Sequence, residues 1–179
     1  MGAKEEYYER AEKLYCLALL FTGDSELSVN LTIETIASED LCAAALNPSI
    51  RTNFIAKALA SIRSELLVSA KRLASTQIEE DLPPVGWSFD RGTTKAQIEN
   101  VLLAMDIFPR CALLLTAFEG RTLNDASILM SSDLELVLKG RITGLRSLAR
   151  SLAVSLCVKH AHFFLLLSAF APKAANRNN

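Results

Sequence analysis

The chain has 179 residues, of which half are apolar, and its formal net charge at pH 7 is −1. This composition is typical of a globular protein of one or two small domains, and it excludes a disordered chain. Only seven glycines and five prolines occur, and long runs of alternating β-branched and aromatic residues are missing. The predicted fold class is therefore all-α.

The N-terminal sequence and the cysteines predict a cytoplasmic protein. The stretch MGAKEEYYERAEK lacks the basic start, apolar run and cleavage site of a secretory signal. The longest largely apolar run, AHFFLLLSAFA, has 11 residues. It is too short to cross about 30 Å of hydrocarbon, so no membrane span is predicted. Cys16, Cys42, Cys111 and Cys157 lie far apart, which argues against a disulfide framework or a zinc module.

Charge alternates along the chain. Residues 1–40 carry nine acids and three bases, and residues 41–75 carry one acid and five bases. Residues 76–135 carry ten acids and four bases, whereas residues 136–179 carry seven bases and no acid. The repeated acid-then-base pattern suggests two units, each with a basic terminal helix able to face phosphate. Solvated helix faces would give the same charges.

The first unit is predicted at residues 1–75 and is followed by a linker at residues 76–95. Pro83, Pro84 and Gly86 break helical periodicity within the linker. Before it, apolar residues recur at helical spacing and predict three or four helices. They are Tyr8, Ala11, Leu14, Tyr15, Ala18, Leu27, Leu31, Ile36, Ile55, Leu59, Ile62, Leu66 and Ala70.

The second unit is predicted as a four-helix module that ends in a helix-turn-helix. Its first helix begins within residues 98–104, and Pro109 is expected to open the next helix, where its missing N–H matters little. Thr122 and Asp125 form a loose capping box for a third helix. Residues 131–133, Ser-Ser-Asp, supply the turn and cap before the fourth.

A further C-terminal helix is predicted from SLAVSLCVKHAHFFLLLSAFAPK, so that the second unit covers residues 96–171 and a tail covers residues 172–179. This helix would cover the core or a partner protein. Cys157 and His160 lie one turn apart within it, but no further ligand is evident. Neither a metal site nor Cys-His catalysis is predicted.

The sequence carries no motif of a common enzyme or cofactor site. It lacks G-x-x-x-x-G-K-[ST], G-x-G-x-x-G, G-x-S-x-G and H-E-x-x-H. The prediction is a protein without enzymatic activity and without a cofactor.

Two stretches resemble motifs of one family. LYCLALLFTGDSELSVNLTIETI, residues 14–36, resembles L-Y-x-L-A-x-x-x-T-G-D-x-x-x-A-E-D-L-V-Q-E-T-F. DIFPRCALLLTAFEGRTLNDAS, residues 106–127, resembles L-P-x-x-x-R-x-x-x-x-L-x-x-x-x-E-G-x-S-x-x-E-I-A in part. Both motifs belong to the small extracytoplasmic-function sigma factors of bacterial RNA polymerase. Positions in register are Leu14, Tyr15, Leu17, Ala18, Thr22, Gly23, Asp24, Leu31, Glu34, Thr35, Arg110, Leu115, Glu119, Gly120 and Thr122.

The resemblance covers about residues 6–150 and implies a transcription initiation protein that binds the RNA polymerase core and promoter DNA. It implies a region-two-like N-terminal domain and a region-four-like C-terminal domain. Asn30 and Glu34 would contact the polymerase. Lys139, Arg141, Arg146 and Arg150 lie on or after the recognition helix and would contact DNA, and four bases of the first unit would position a strand through phosphates. These four are Lys57, Arg63, Lys71 and Arg72.

Three positions depart from the family pattern and support an alternative. Ala58 stands where the family has a tryptophan that helps to open the promoter. Asp133 and Glu135 occupy the first turns of the recognition helix, where Arg, Lys, Asn and Gln would read base edges. The alternative is a sigma mimic that has lost DNA reading and binds an anti-sigma factor or another regulator. An all-α dimerising scaffold unrelated to transcription is a third hypothesis.

Overall fold

The computed structural model describes residues 3–38, 48–77 and 92–152. Every regular element in these ranges is a helix, which confirms the predicted all-α class. The elements are α1 (Ala3–Thr22), α2 (Ser25–Ser38), α3 (Pro48–Ser61), α4 (Arg63–Ser75), α5 (Lys95–Ala104), α6 (Ile107–Leu113), a π-helical segment π1 (Leu114–Phe118), α7 (Leu123–Met130) and α8 (Leu134–Leu152). The predicted C-terminal helix and tail, Cys157, His160 and most of the predicted linker lie outside the described residues.

The chain divides into two compact units, Met1–Lys71 and Arg72–Asn179, so the last turn of α4 belongs to the second unit. In the first unit, α1 packs against α2 and α3. Its core contains large side chains with almost no exposed surface, which supply much of the apolar burial that stabilises a small helical unit. These are Leu14, Phe21, Phe54, Ile55 and Leu59.

The turn between α1 and α2 is a closed polar network. The Thr22 hydroxyl is buried, accepts a hydrogen bond from the Asp24 backbone N–H at 3.1 Å and lies 3.0 Å from the Ser28 hydroxyl. Gly23 has φ of +74°, a left-handed conformation that favours glycine. A carboxylate oxygen of Asp24 accepts from the Leu27 backbone N–H at 2.9 Å and so caps α2.

In the second unit, α8 packs most extensively against α6 because two glycines face that helix. A Cβ added at Gly140 would lie 3.0 Å from Phe108 Cε1, and one added at Gly144 would lie 2.9 Å from the Pro109 carbonyl oxygen. A helix interior glycine costs about 1 kcal/mol relative to alanine. The cost is offset here by the close approach of two helices, which a Cβ at Gly144 would obstruct because it would meet backbone.

The start of α6 differs from the sequence prediction. The helix begins at Ile107, and Asp106 is its N-cap, whose carboxylate accepts from the Ile107 backbone N–H at 3.0 Å. Pro109 therefore does not open the helix and is its third residue. A proline is tolerated throughout the first turn because the first N–H groups of a helix have no partner within the helix.

A buried arginine joins α6 to α5. Arg110 is 4% exposed, and its Nη1 donates to the Leu103 carbonyl oxygen at 3.1 Å. Burial lowers the pKa of the Arg110 guanidinium and raises the pKa of the neighbouring Cys111 thiol to about 12. Both shifts follow from removal of charged groups from water.

The segment after α6 ends in a glycine turn. At the end of π1, the Glu119 backbone N–H donates to the Leu114 carbonyl oxygen at 2.8 Å, which is the five-residue spacing of a π-helix. Gly120 follows with φ of +63°, and the Arg121 N–H then reaches the Leu115 carbonyl at 2.9 Å. The glycine of the E-G-x-T motif therefore has a structural role, because few other residues adopt this conformation without strain.

Candidate nucleic-acid interface

The predicted helix-turn-helix corresponds to α7 and α8, which are joined by residues 131–133. The Thr122 hydroxyl accepts from the Asp125 N–H at 3.1 Å and caps the 8-residue α7. Ser131 ends α7 in the left-handed conformation with φ of 50°. A carboxylate oxygen of Asp133 accepts from the Leu136 N–H at 2.7 Å and caps the 19-residue α8. The two caps and the turn occur at the positions predicted from the sequence.

Three of the four bases predicted on α8 lie at spacings that place them on one face. Lys139, Arg146 and Arg150 are seven and four residues apart, which corresponds to nearly whole helical turns. The opposite side of α8 is a buried stripe formed by Val137, Gly140, Gly144 and Leu148. Arg141 follows Val137 by four residues and is half-buried at the edge of this stripe. The structure thus separates Arg141 from the other three bases.

The three bases that share this face of α8 differ in their surroundings. The Lys139 ammonium donates to the carbonyl oxygens of Ala74 at 3.2 Å and Thr76 at 2.5 Å, at the end of α4. The Nε of Arg146 is buried and has no hydrogen-bond partner among the described residues. Arg150 is exposed. Of the four predicted bases of α8, Arg150 is the one most accessible to a phosphate.

The first turns of α8 present exposed apolar and acidic side chains instead of bases. Leu134 and Leu138 are exposed at 47% and 37%, and Ile128 on α7 is exposed at 68%. Glu135 is exposed between the two leucines, and Asp133 is occupied as the helix cap. Acids at this end and bases at the other end of α8 also suit the helix dipole, so this charge distribution stabilises the helix irrespective of any ligand.

In the first unit, one residue predicted to contact the polymerase pairs with one predicted to contact DNA. The Lys57 ammonium on α3 lies 2.9 Å from a Glu34 carboxylate oxygen on α2, and both side chains are exposed. Asn30 is exposed one turn before Glu34. The structure therefore brings Glu34 and Lys57 together, and an exposed pair of this kind adds at most about 1 kcal/mol.

The remaining predicted bases lie along α4. Arg63 and Lys71 are exposed and belong to the first unit. Arg72 belongs to the second unit, where its Nη2 lies 3.0 Å from a carboxylate oxygen of Asp106, the N-cap of α6. Arg72 is therefore held in an exposed ion pair, whereas Arg63 and Lys71 have no ion-pair partner among the described residues.

Ala58 is completely buried in α3. The position where the sigma-factor family has a tryptophan thus faces the core of the first unit. Ala58 can offer no surface on which a base could stack, and stacking of this kind contributes about 1 to 3 kcal/mol per base.

The interactions that sequence reasoning missed are structural contacts of the candidate residues themselves. Lys139 binds backbone carbonyls, and Arg72 pairs with a helix cap, but the sequence offers no signal for either contact because the partners lie 63 to 65 and 34 residues away. The carboxylate of Asp133 is different, because Ser-Ser-Asp before an apolar run is a recognisable cap signal.

Neither a metal site nor a membrane span is found in the part of the chain that the structure describes. Residues 3–38, 48–77 and 92–152 hold no group of three or more His, Cys, Asp or Glu side chains placed to bind a metal. None of the helices in these ranges is both long and apolar enough to cross a membrane. Comparisons of the chain with protein-family models, curated proteins and solved structures gave no match.

Proposed function

We propose that this protein is a sigma-factor-like transcription initiation protein that binds core RNA polymerase and promoter DNA. The observation that carries the proposal is the capped helix-turn-helix of α7 and α8, whose longer helix carries Lys139, Arg146 and Arg150 at helical spacing, with Arg150 exposed. A helix of this kind enters the major groove, and bases beyond its first turns contact the phosphate backbone.

DNA binding in this proposal depends mainly on charge. The exposed guanidinium of Arg150 would contact a phosphate, and the half-buried Arg141 and Arg146 would add to the positive field. The first turns of α8 present leucines and an acid in place of base-reading side chains. Binding should therefore be salt-dependent and show little sequence preference.

A salt titration of labelled duplex DNA tests this part of the proposal. If Arg150 contacts a phosphate, Arg150→Ala should reduce the slope of log affinity against log salt by about one. Lys95→Ala is the matched control, because Lys95 is an exposed base of the same unit that pairs with Glu99 at 3.4 Å on α5. Equal slopes for the wild-type protein and Arg150→Ala, or no complex at about 50 mM salt, would reject DNA binding through α8.

Polymerase binding in this proposal depends on the exposed face of α2, where Asn30 and Glu34 lie one turn apart. Glu34→Gln should weaken binding to purified bacterial core RNA polymerase, because it removes the charge. Lys57→Ala is the control, because it removes the intramolecular ion pair and leaves the Glu34 carboxylate free. Equal weakening by both variants would indicate that the ion pair acts on stability, and absence of binding by the unaltered protein would reject the proposal.

The second candidate function is a sigma mimic that binds a regulatory protein. The observation that favours it is the exposed apolar and acidic surface formed by Ile128, Leu134, Glu135 and Leu138. Apolar side chains are suited to a protein partner, and an acid repels phosphate. A protein that binds neither duplex DNA nor core polymerase in the two experiments above would fit this candidate.

A further inference from the structure

Two exposed apolar patches in the chain have flanking charges of opposite sign. The α4 patch consists of Leu67 and Val68, exposed at 50% and 57%. Arg63 and Lys71 lie on either side of Leu67 along the helix, and Glu65 lies one turn before Val68, so the bases outnumber the acid. Arg63, Leu67 and Lys71 follow one another at intervals of four residues and therefore share a face. The other side of α4 is buried through Leu66, Ser69, Ala70 and Leu73.

The α7–α8 patch consists of Ile128, Leu134 and Leu138, with Asp125 and Glu135 beside them. Asp125 precedes Ile128 by three residues, and Glu135 precedes Leu138 by three, so each acid lies next to an apolar side chain on the same helix. Glu135 has no ion-pair partner among the described residues. If a partner covers the leucines, a base of that partner beside Glu135 would form an ion pair with it.

Each patch groups two or more exposed apolar side chains, with Leu134 and Leu138 at helical spacing, unlike the single exposed apolar residues that are normal on protein surfaces. Two α4 patches would bring bases together, and two α7–α8 patches would bring acids together. Contact between one patch of each kind buries five apolar side chains and places opposite charges at the rim. Charge complementarity therefore favours the unlike pairing and disfavours both like pairings.

We infer that two copies of this chain associate, with the α4 patch of one copy against the α7–α8 patch of the other. Each copy carries both patches, so either copy of a pair can supply the α4 patch. Each contact is small, so the association is weak and sensitive to salt. The inference does not depend on the proposed function, because no nucleic acid or polymerase takes part in it.

Sedimentation velocity of the purified full chain, from low to high micromolar concentration and without nucleic acid, tests the inference. The wild-type protein should shift from monomer to dimer as concentration rises, and the shift should weaken at high salt. Glu135→Lys and Lys71→Glu should each remain monomeric, because each places two like charges at the rim. Glu12→Lys, at an exposed position on α1 outside both patches, makes the same charge change as Glu135→Lys and should still form the dimer.

An equimolar mixture of Glu135→Lys and Lys71→Glu decides between this pairing and a general effect of charge. In the mixed pair, Lys71 of the Glu135→Lys variant can face Glu135 of the Lys71→Glu variant, which restores the original contact, so dimer should reappear. The double variant should also form the dimer, and circular dichroism establishes that each variant is folded. A wild-type protein that stays monomeric, or a mixture and double variant that both stay monomeric, would overturn the inference.

Discussion

The Lys139 ammonium lies 3.2 Å from the carbonyl oxygen of Ala74 and donates a hydrogen bond to it. The same ammonium donates to Thr76, so a base predicted to contact DNA satisfies carbonyl groups at the C-terminal end of α4. These carbonyls lack partners within the helix, and a positive charge beside them also suits the helix dipole.

Lys139→Ala should therefore lower the free energy of unfolding by roughly 1 kcal/mol, because two charge-assisted hydrogen bonds at the surface are lost. Urea denaturation followed by circular dichroism measures the change. Lys95→Ala should cost less, because it removes only an exposed ion pair on one helix. A Lys139→Ala variant as stable as the wild-type protein would show that the contact with α4 contributes nothing.

Gly144→Ala should destabilise the second unit by about 1 to 3 kcal/mol, because the new methyl group would lie 2.9 Å from the Pro109 carbonyl oxygen and backbone cannot move aside cheaply. Gly140→Ala should cost less, since the Phe108 ring can shift. Thermal unfolding of both variants tests the order. Ser147→Ala, at a half-buried position of the same helix, provides the control, and a stabilised Gly144→Ala would contradict the packing described.

Two buried threonines of α2 should respond in opposite directions to the same change. The Thr35 hydroxyl is buried without a hydrogen-bond partner among the described residues, whereas the Thr32 hydroxyl donates to the Ser28 carbonyl at 2.7 Å. Thr35→Val should stabilise the first unit by about 1 kcal/mol, and Thr32→Val should destabilise it by a similar amount. Chemical denaturation of the pair measures both, and a loss of stability in Thr35→Val would indicate an unrecognised partner.

Cys111 should be protected from alkylation in the folded protein. Its side chain has no exposed surface, and burial raises the pKa of its thiol to about 12. Because the thiolate is the reactive form, iodoacetamide at about pH 8 should modify the half-buried Cys16 before Cys111. Peptide mass spectrometry before and after unfolding in guanidinium measures the order, and early modification of Cys111 would contradict its burial.

The same shift makes stability depend on pH. Between the usual thiol pKa of 9.0 and about 12, the unfolded chain loses the Cys111 proton while the folded chain keeps it. The free energy of unfolding should therefore fall as pH rises through this range. Cys111→Ala should reduce that fall, and identical pH slopes for the two proteins would contradict the raised pKa.

The sequence predicted the helical class, the Thr122 cap and the turn and cap at residues 131–133, because these depend on local patterns. The predicted start of α6 at Pro109 was wrong, because the Asp106 side chain caps the helix and it begins at Ile107. The packing of Gly140 and Gly144 against Phe108 and Pro109 is a tertiary contact that helix propensity cannot reveal.

The candidate site was less predictable than the fold. The positions of Lys139, Arg146 and Arg150 on one face follow from spacing, but the partners of Lys139 and the burial of Arg146 Nε depend on contacts between helices. The T-G-D stretch of the first motif has a structural explanation, because Thr22, Gly23 and Asp24 form the turn between α1 and α2. The likeness in that stretch is therefore accounted for by folding.

The glycine pair of α8 also determines which of its charged residues face outward. Only the side that carries Gly140 and Gly144 can approach α6 closely, so these two positions set the rotation of α8 about its own axis. Each residue turns an α-helix by about 100°, so moving both glycines by one position would rotate every side chain of α8 by that angle. Gly140 and Gly144 thus determine which charged side chains of α8 face solvent, although neither glycine is charged.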